Sequence, residues 1–357
     1  MRNLALSLSV LILTLGGAEI ALRGVYPDGV HTNIENIEVF KWVTGDAVKG
    51  WKNKRAFELG NLKINQLGLR GPETTTEKDE GTLRILCLGD SRTFGIWNTK
   101  SPLASFTSHY PGELRQLLQQ YSEEQEPPTK IEVLNLGVIG YSSAHVLRQL
   151  NTEVASFEPD IVTVAVGFND MTLSWDSGMR MQEPDSELLR SALYSLHNLR
   201  LVQLVLRANQ LRPWKPEKFT AYWASPEEYR TNLHRIVEST NGLNIPLLFI
   251  HQPLRALALG EASTRENATD NGMKILYYLA DAKDLSVVHQ RFNEYRDILF
   301  HVAQEAQVPL LNIEDAFRNK DHLVFGDYDL VHYNPTGARI VAEEIRAVLL
   351  QESWLAQ

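Results

Sequence analysis

Residues 83–91 read Leu83-Arg84-Ile85-Leu86-Cys87-Leu88-Gly89-Asp90-Ser91, an apolar run that stops at a glycine and then turns polar. A short, nearly continuous apolar stretch bounded by turn formers is the pattern of a strand buried on both faces. The pattern recurs downstream at Ile131–Leu136 (IEVLNL), Ile161–Val166 (IVTVAV), Pro246–Ile250 (PLLFI) and Val308–Ile313 (VPLLNI). Helical stripes separate these strands. Leu114, Leu117, Leu118 and Tyr121 follow Pro111, a residue suited to a first helical turn. Ser142-Ser143 can cap a helix whose apolar face is Val146/Leu147, Leu150, Val154 and Phe157. Val288, Phe292, Tyr295, Leu299, Val302 and Ala306 mark another, and Asn334-Pro335 opens a last helix to about Leu350. Buried strands alternating with amphipathic helices predict an α/β fold, a three-layer α/β/α sandwich on a five-stranded parallel sheet.

Upstream of this region the character changes. Leu4–Ala18 is apolar and uncharged, and Arg2 precedes it. That length suits the core of a signal peptide, and reading on to Val25 makes a short tilted anchor with Glu19 near the interface. Residues 1–26 are therefore expected to be an N-terminal hydrophobic helix, a signal anchor or else a cleaved signal peptide. Either reading puts the remainder outside the cytoplasm of a bacterial source, with the membrane as a partner through that helix. Residues 27–80 read as a polar connector with short strands, Leu62–Ile64 among them, and the catalytic unit as 81–352. The long stretch 171–244 reads as a helical insertion or cap, in which Leu188–Leu206 is expected to be a buried helix.

Composition narrows the function classes. The 357 residues allow one large domain with extensions or two modest ones, and 43% hydrophobic with 22% charged residues excludes wholesale disorder. A net charge of −9 without a long basic run speaks against nucleic acid as a partner. The single cysteine, Cys87, removes internal disulfides, Cys-rich zinc sites and CxxC redox chemistry, and reads as core. There is no HExxH, no P-loop and no GxGxxG after a strand, so neither a metal nor a cofactor is expected.

Ligands of open parallel sheets bind at the carboxyl ends of the strands, so the residues that follow each strand matter most. They are Gly89-Asp90-Ser91, then Gly140 in Gly137–Ser142, then Gly167-Phe168-Asn169-Asp170, and finally Asp327 to Pro335 with Asp329-Leu330-Val331-His332. Taken singly, each is an ordinary turn or cap. As four ordered blocks the sequence resembles the SGNH subgroup of the GDSL esterases and lipases over roughly residues 83–352. Ile64–Glu73 (INQLGLRGPE) looks like the segment that precedes the sheet in membrane-anchored bacterial members. One departure is Arg92, where a small or apolar residue is more usual. The resemblance implies the flavodoxin-like SGNH hydrolase fold and a hydrolase acting on ester bonds.

The chemistry is coherent with those positions. A serine hydroxyl needs a base at neutral pH, and His332 suits that role for Ser91. Asp329, three residues earlier, can orient the far imidazole nitrogen; Asp327 competes for the task, and the DxxH spacing favours Asp329. The oxyanion hole is expected from the N–H groups of Ser91 and Gly140 and the side-chain amide of Asn169. Asp90 and Asp170 read as supports, and His251 as a structural histidine. Three functions stay open: an esterase acting on a small-molecule or glycan ester, an O-acyltransferase with the same triad on an extracytoplasmic polysaccharide, and a non-catalytic binding module.

Overall fold

The computed structural model describes residues 2–26, 41–46, 48–96, 108–173, 186, 188–189, 192, 195–196, 199–210, 222–255, 283–318, 320–325, 329 and 331–355. Asp327, singled out in the sequence, lies outside these residues. The chain divides into two compact units, one of residues 1–54 with 182–217 and one of 55–181 with 218–357.

The smaller unit contains helix α1 (Arg2–Val25) and a hairpin of β1 (Val43–Asp46) and β2 (Gly50–Asn53). The larger unit opens with a second hairpin, β3 (Phe57–Leu59) and β4 (Leu62–Ile64), and continues to β5 (Thr82–Gly89). Then come the one-turn helix α2 (Ser91–Phe94), α3 (Tyr110–Glu123), β6 (Lys130–Asn135), α4 (Ser143–Thr152) and β7 (Ile161–Ala165). Helix α5 (Arg200–Gln210) belongs to the smaller unit. The larger unit resumes with α6 (Pro226–Gly242), β8 (Leu247–His251), α7 (Leu285–Glu305) and β9 (Leu310–Asn312). Two short helices, α8 (Glu314–Phe317) and α9 (Asp321–Val324), lead to α10 (Pro335–Gln351).

The five expected strands form one parallel sheet in the order β6-β5-β7-β8-β9. Counting only this sheet's strands, the order is 2-1-3-4-5, the flavodoxin-like winding, whose topological switch point lies between β5 and β7. All eight residues of β5 are buried because it has a strand on each side and helices on both faces. Leu83, Ile85 and Cys87 point into one core with Leu114, Leu117 and Leu118 of α3 and Val341, Ile345 and Leu349 of α10. Their alternates Leu86 and Leu88 are equally buried, on the opposite face by the two-residue period of a strand. Fully burying such a side chain is worth roughly 1.5–3 kcal/mol, which is why one uninterrupted run can fix the centre of a sheet.

Two expectations need correction. First, no helix among the described residues is long and apolar enough to cross a membrane, so a transmembrane anchor is not found. Glu19, placed near a bilayer interface by the sequence, instead accepts the Arg200 and Leu201 backbone N–H groups at 3.0 and 3.1 Å and pairs with Arg23 at 2.9 Å. It thereby satisfies donors that the start of α5 leaves open. Second, Leu188, Leu189, Leu196 and Val205 are exposed, against the burial expected of them. The division between the two units falls at 54/55, inside the expected connector, and Arg70 bridges Ile64 on one side and Asn135 at the end of β6 on the other. Within 171–244, α6 packs beside α4 and α7, with Tyr229, Leu233 and Ile236 buried.

Candidate active site

Gly89 ends β5 with a backbone twist that brings it against Thr93 and Ala165; a Cβ there would come within 2.6 Å of the Ala165 carbonyl. Asp90 then caps α2, its Oδ1 accepting the Arg92 N–H at 2.8 Å. Ser91 is the first residue inside the helix. Its N–H is therefore one of the donors a helix start leaves without an internal partner.

In the segment between α9 and α10, Asp329 organises its own loop. Its Oδ1 accepts the N–H groups of Val331 and His332, each at 2.9 Å, and its Oδ2 lies 2.7 Å from His332 Nδ1. The three-residue spacing works because one carboxylate can hold both the backbone and the ring of the same turn. An ionised carboxylate only accepts, so Nδ1 carries the proton and Nε2 is left as an acceptor. That Nε2 lies 2.7 Å from Ser91 Oγ. Burial acts to raise the Asp329 carboxyl, but the His332 ring and the two N–H donors outweigh it and hold it below the usual value. Downstream the loop is anchored by Asn334, which caps α10 through Gly337 N–H at 3.0 Å and donates to the Leu323 and Phe325 carbonyls at 2.8 and 3.1 Å.

The remaining predicted residues sit on the loops after β6 and β7. Gly140 adopts φ +75°, a conformation glycine takes without strain. Asn169 reaches across to donate to the Tyr141 carbonyl at 2.9 Å, which ties its loop to that of Gly140 and leaves its second amide hydrogen unspent on this contact. Asp170 braces the same junction from beneath, accepting from Ser143 N–H at 3.0 Å and Gly167 N–H at 3.1 Å. Burial pushes its carboxyl up to about 6 despite those donors. The structure thus brings Ser91, His332 and Asp329 into one hydrogen-bonded chain, and it couples Gly140 to Asn169 through Tyr141.

Other side chains that hold the site escaped the sequence reading. Arg92 turns inward rather than toward solvent. Its guanidinium pairs with Asp90 at 3.2 Å, donates to the Gln252 carbonyl at 3.2 Å and lies 5.6 Å from the centre of the Phe168 ring. Burial disfavours its charge, but Asp90 prevails and raises its pKa. Asn135, the last residue of β6, donates to the Thr93 carbonyl at 2.9 Å. Gly137 packs so closely that a Cβ would strike the Phe94 nitrogen and come within 2.7 Å of the Thr93 carbonyl carbon. Arg70 donates through Nη1 to the Phe94 and Gly95 carbonyls, the second at 2.8 Å, and burial pushes its pKa down to about 9. An apolar residue before each polar turn marks a strand end, but nothing local marks a charged residue as buried. Only the oddity of Arg92 beside the serine was a signal. Among the described residues no group of three or more His, Cys, Asp or Glu could hold a metal ion. Cys87 is fully buried in the core and its thiol is pushed up to about 12 by burial.

Comparison with known proteins gives one match to a family model, that of the GDSL-like lipase/acylhydrolase family, over residues 87–340. No curated protein sequence matches the chain. Solved structures that it resembles include Axe2, an acetylxylan esterase from Geobacillus stearothermophilus, at 16% identity over 74% of this chain and 93% of that one, with a TM-score of 0.43. Another is a lipase/acylhydrolase from Enterococcus faecalis, at 14% identity over 75% and 95%, with a TM-score of 0.44. A third is LAE5, an alpha/beta hydrolase from the metagenome of Lake Arreo, Spain, at 17% identity over 74% and 94%, with a TM-score of 0.41.

Proposed function

Because the chain belongs to the GDSL-like lipase/acylhydrolase family, hydrolases acting on ester bonds, we propose that it is a serine esterase that removes a small acyl group through an acyl-enzyme on Ser91. The observation that carries the reading is the unbroken chain Ser91 Oγ, His332, Asp329, with 2.7 Å at each step. In the first half-reaction Ser91 Oγ attacks the ester carbonyl while Nε2 of His332 takes its proton. Asp329 stabilises the imidazolium that results. The developing oxyanion is met by the N–H groups of Ser91 and Gly140 and the Asn169 amide. Collapse breaks the carbon–oxygen bond to the alcohol, and His332 returns the proton to that leaving oxygen. Water then repeats the sequence on the acyl-enzyme, releasing a carboxylic acid and restoring Ser91.

A glycan hydroxyl is the alcohol this reading favours, and the place of action is outside the cytoplasm. The second part rests on Arg2 followed by the uncharged Leu4–Ala18 and is checked by fractionating cells of the source. Activity is tested on p-nitrophenyl acetate and butyrate beside Ser91→Ala and His332→Ala. Turnover of acetate above butyrate, abolished in both variants, supports the reading. Labelling of Ser91 by a fluorophosphonate, with transfer of acetyl to glycan in preference to water, would make the protein an O-acyltransferase instead. A folded protein with neither turnover nor labelling would leave a binding module.

A further inference from the structure

The nucleophile stands on a helix of four residues, Ser91–Phe94. Nucleating a helical turn is unfavourable, and so short a segment gains little from its own hydrogen bonds. Here those bonds are few: Phe94 N–H to the Asp90 carbonyl at 2.9 Å, and the Gly95 and Ile96 N–H groups to the Ser91 carbonyl at 2.8 and 3.1 Å. What fixes the turn must therefore come largely from elsewhere in the fold.

At its carbonyl end the restraint comes from the end of β6 and from the segment upstream of the sheet. The Thr93 carbonyl accepts from Asn135, and the Phe94 and Gly95 carbonyls accept from a single guanidinium nitrogen of Arg70. The same guanidinium lies 5.2 Å from the centre of the Phe94 ring. Its backbone is pinned as well, Arg70 N–H donating to the Asn135 carbonyl at 3.2 Å. The loop that delivers it is wound tightly about Asn65, whose side chain accepts the Leu67 and Leu69 N–H groups at 3.0 and 2.9 Å and donates to the Pro72 carbonyl at 2.9 Å. A cation at a helix carboxyl end also opposes the partial negative charge there.

On these contacts we infer that Arg70 is a positioning residue for Ser91: it holds the nucleophile turn at the distance from His332 that the reaction requires. Arg70 lies outside residues 87–340, the stretch that the family model matches. The inference rests on the proposed role of Ser91 as nucleophile. It makes the segment before the sheet part of the enzyme rather than a spacer. A misplacement of about 1 Å can cost about a hundredfold in rate, and loss of this clamp is expected to act on that scale.

The test uses the full chain and three variants: Arg70→Met, Arg70→Gln and Arg70→Lys. Wild-type protein is first labelled with a fluorophosphonate and assayed on p-nitrophenyl acetate; failure of both in folded protein sinks the Ser91 reading itself. With wild type active, folded Arg70→Met and Arg70→Gln should lose about tenfold to a hundredfold in kcat and in labelling rate, with KM little changed. Arg70→Lys, which keeps the cation, should recover part of the loss. Wild-type kcat and labelling rate in any folded Met or Gln variant would overturn the assignment. So would losses that vanish on cooling in step with recovered folding, since those report stability alone. If neither neutral variant folds, folded Arg70→Lys decides: reduced kcat at unchanged KM supports the clamp, and wild-type kcat overturns it.

Discussion

Among its described residues the larger unit holds two histidine–carboxylate pairs near the carboxyl ends of its strands, and they differ in what the histidine meets on its other side. His332 lies 2.7 Å from Asp329, while His251, the last residue of β8, has its Nε2 3.2 Å from Glu314 Oε1. Both carboxylates can orient a ring. The difference lies in what meets the histidine next. His332 has a serine hydroxyl on its second nitrogen and 17% of its side chain exposed; His251 has rings of Phe292 and Phe300 within 5.4 Å of its own and 5% exposed. A dyad is common furniture of a polar interior. A base requires in addition an aligned nucleophile and an approach for substrate.

The sharpest way to break this comparison is to remove the reacting groups. Ser91→Ala or His332→Ala should each lower kcat on p-nitrophenyl acetate by about 10⁶-fold, the scale seen when one member of such a unit is deleted. Fluorophosphonate labelling should vanish with Ser91. Next comes the orienting carboxylate: Asp329→Asn should cost about 10⁴-fold in kcat, because an amide can present N–H to Nδ1 and favour the wrong tautomer. A loss as small as that of the corresponding change at Glu314 would erase the distinction between the pairs.

A smaller effect is expected at the oxyanion side, where Asn169→Ala should cost about 10²–10³-fold in kcat with KM nearly unchanged. The smallest falls on the second pair. His251→Gln should leave kcat as it is and lower stability by about 1 kcal/mol, read from denaturant titration. It should also alter a pH response. Burial holds His251 below the usual histidine value, against the pull of Glu314. The unfolded chain therefore takes up a proton more readily than the folded one, and the stability this site contributes is full above the ordinary histidine pKa. It is lost as pH falls through that value toward the folded one. Wild type should accordingly lose Tm on acidification through that range, and His251→Gln should lose less of it.

Much of this was legible from the chain because strand ends announce themselves. The run Leu83–Leu88 had no amphipathic reading open to it, and Ser91, Gly140 and Asn169 each sat within a few residues of the end of such a run. What stayed hidden was charge placed against type. Arg70 and Arg92 are buried, and both donate to distant main-chain carbonyls, 24, 25 and 160 residues away, which no local pattern encodes. Glu19 misled for the same reason. In isolation it interrupts an apolar helix, but in the fold it caps a helix that begins 181 residues later. Composition locates what must be dry. It does not reveal which few charges a fold draws inside.

For a lineage under mutation, Gly137 is a closed door. Enzymes commonly widen or shift their substrate range by exchanging small wall residues for larger ones. Here any side chain beyond hydrogen would press on the main chain of Thr93 and Phe94, and main chain cannot swing aside as a flexible side chain does. A saturation library at this position should return glycine alone among active clones. Drift toward new substrates must then be written into the loops that carry Asn169 and His332, while the ground under the serine stays as it was inherited.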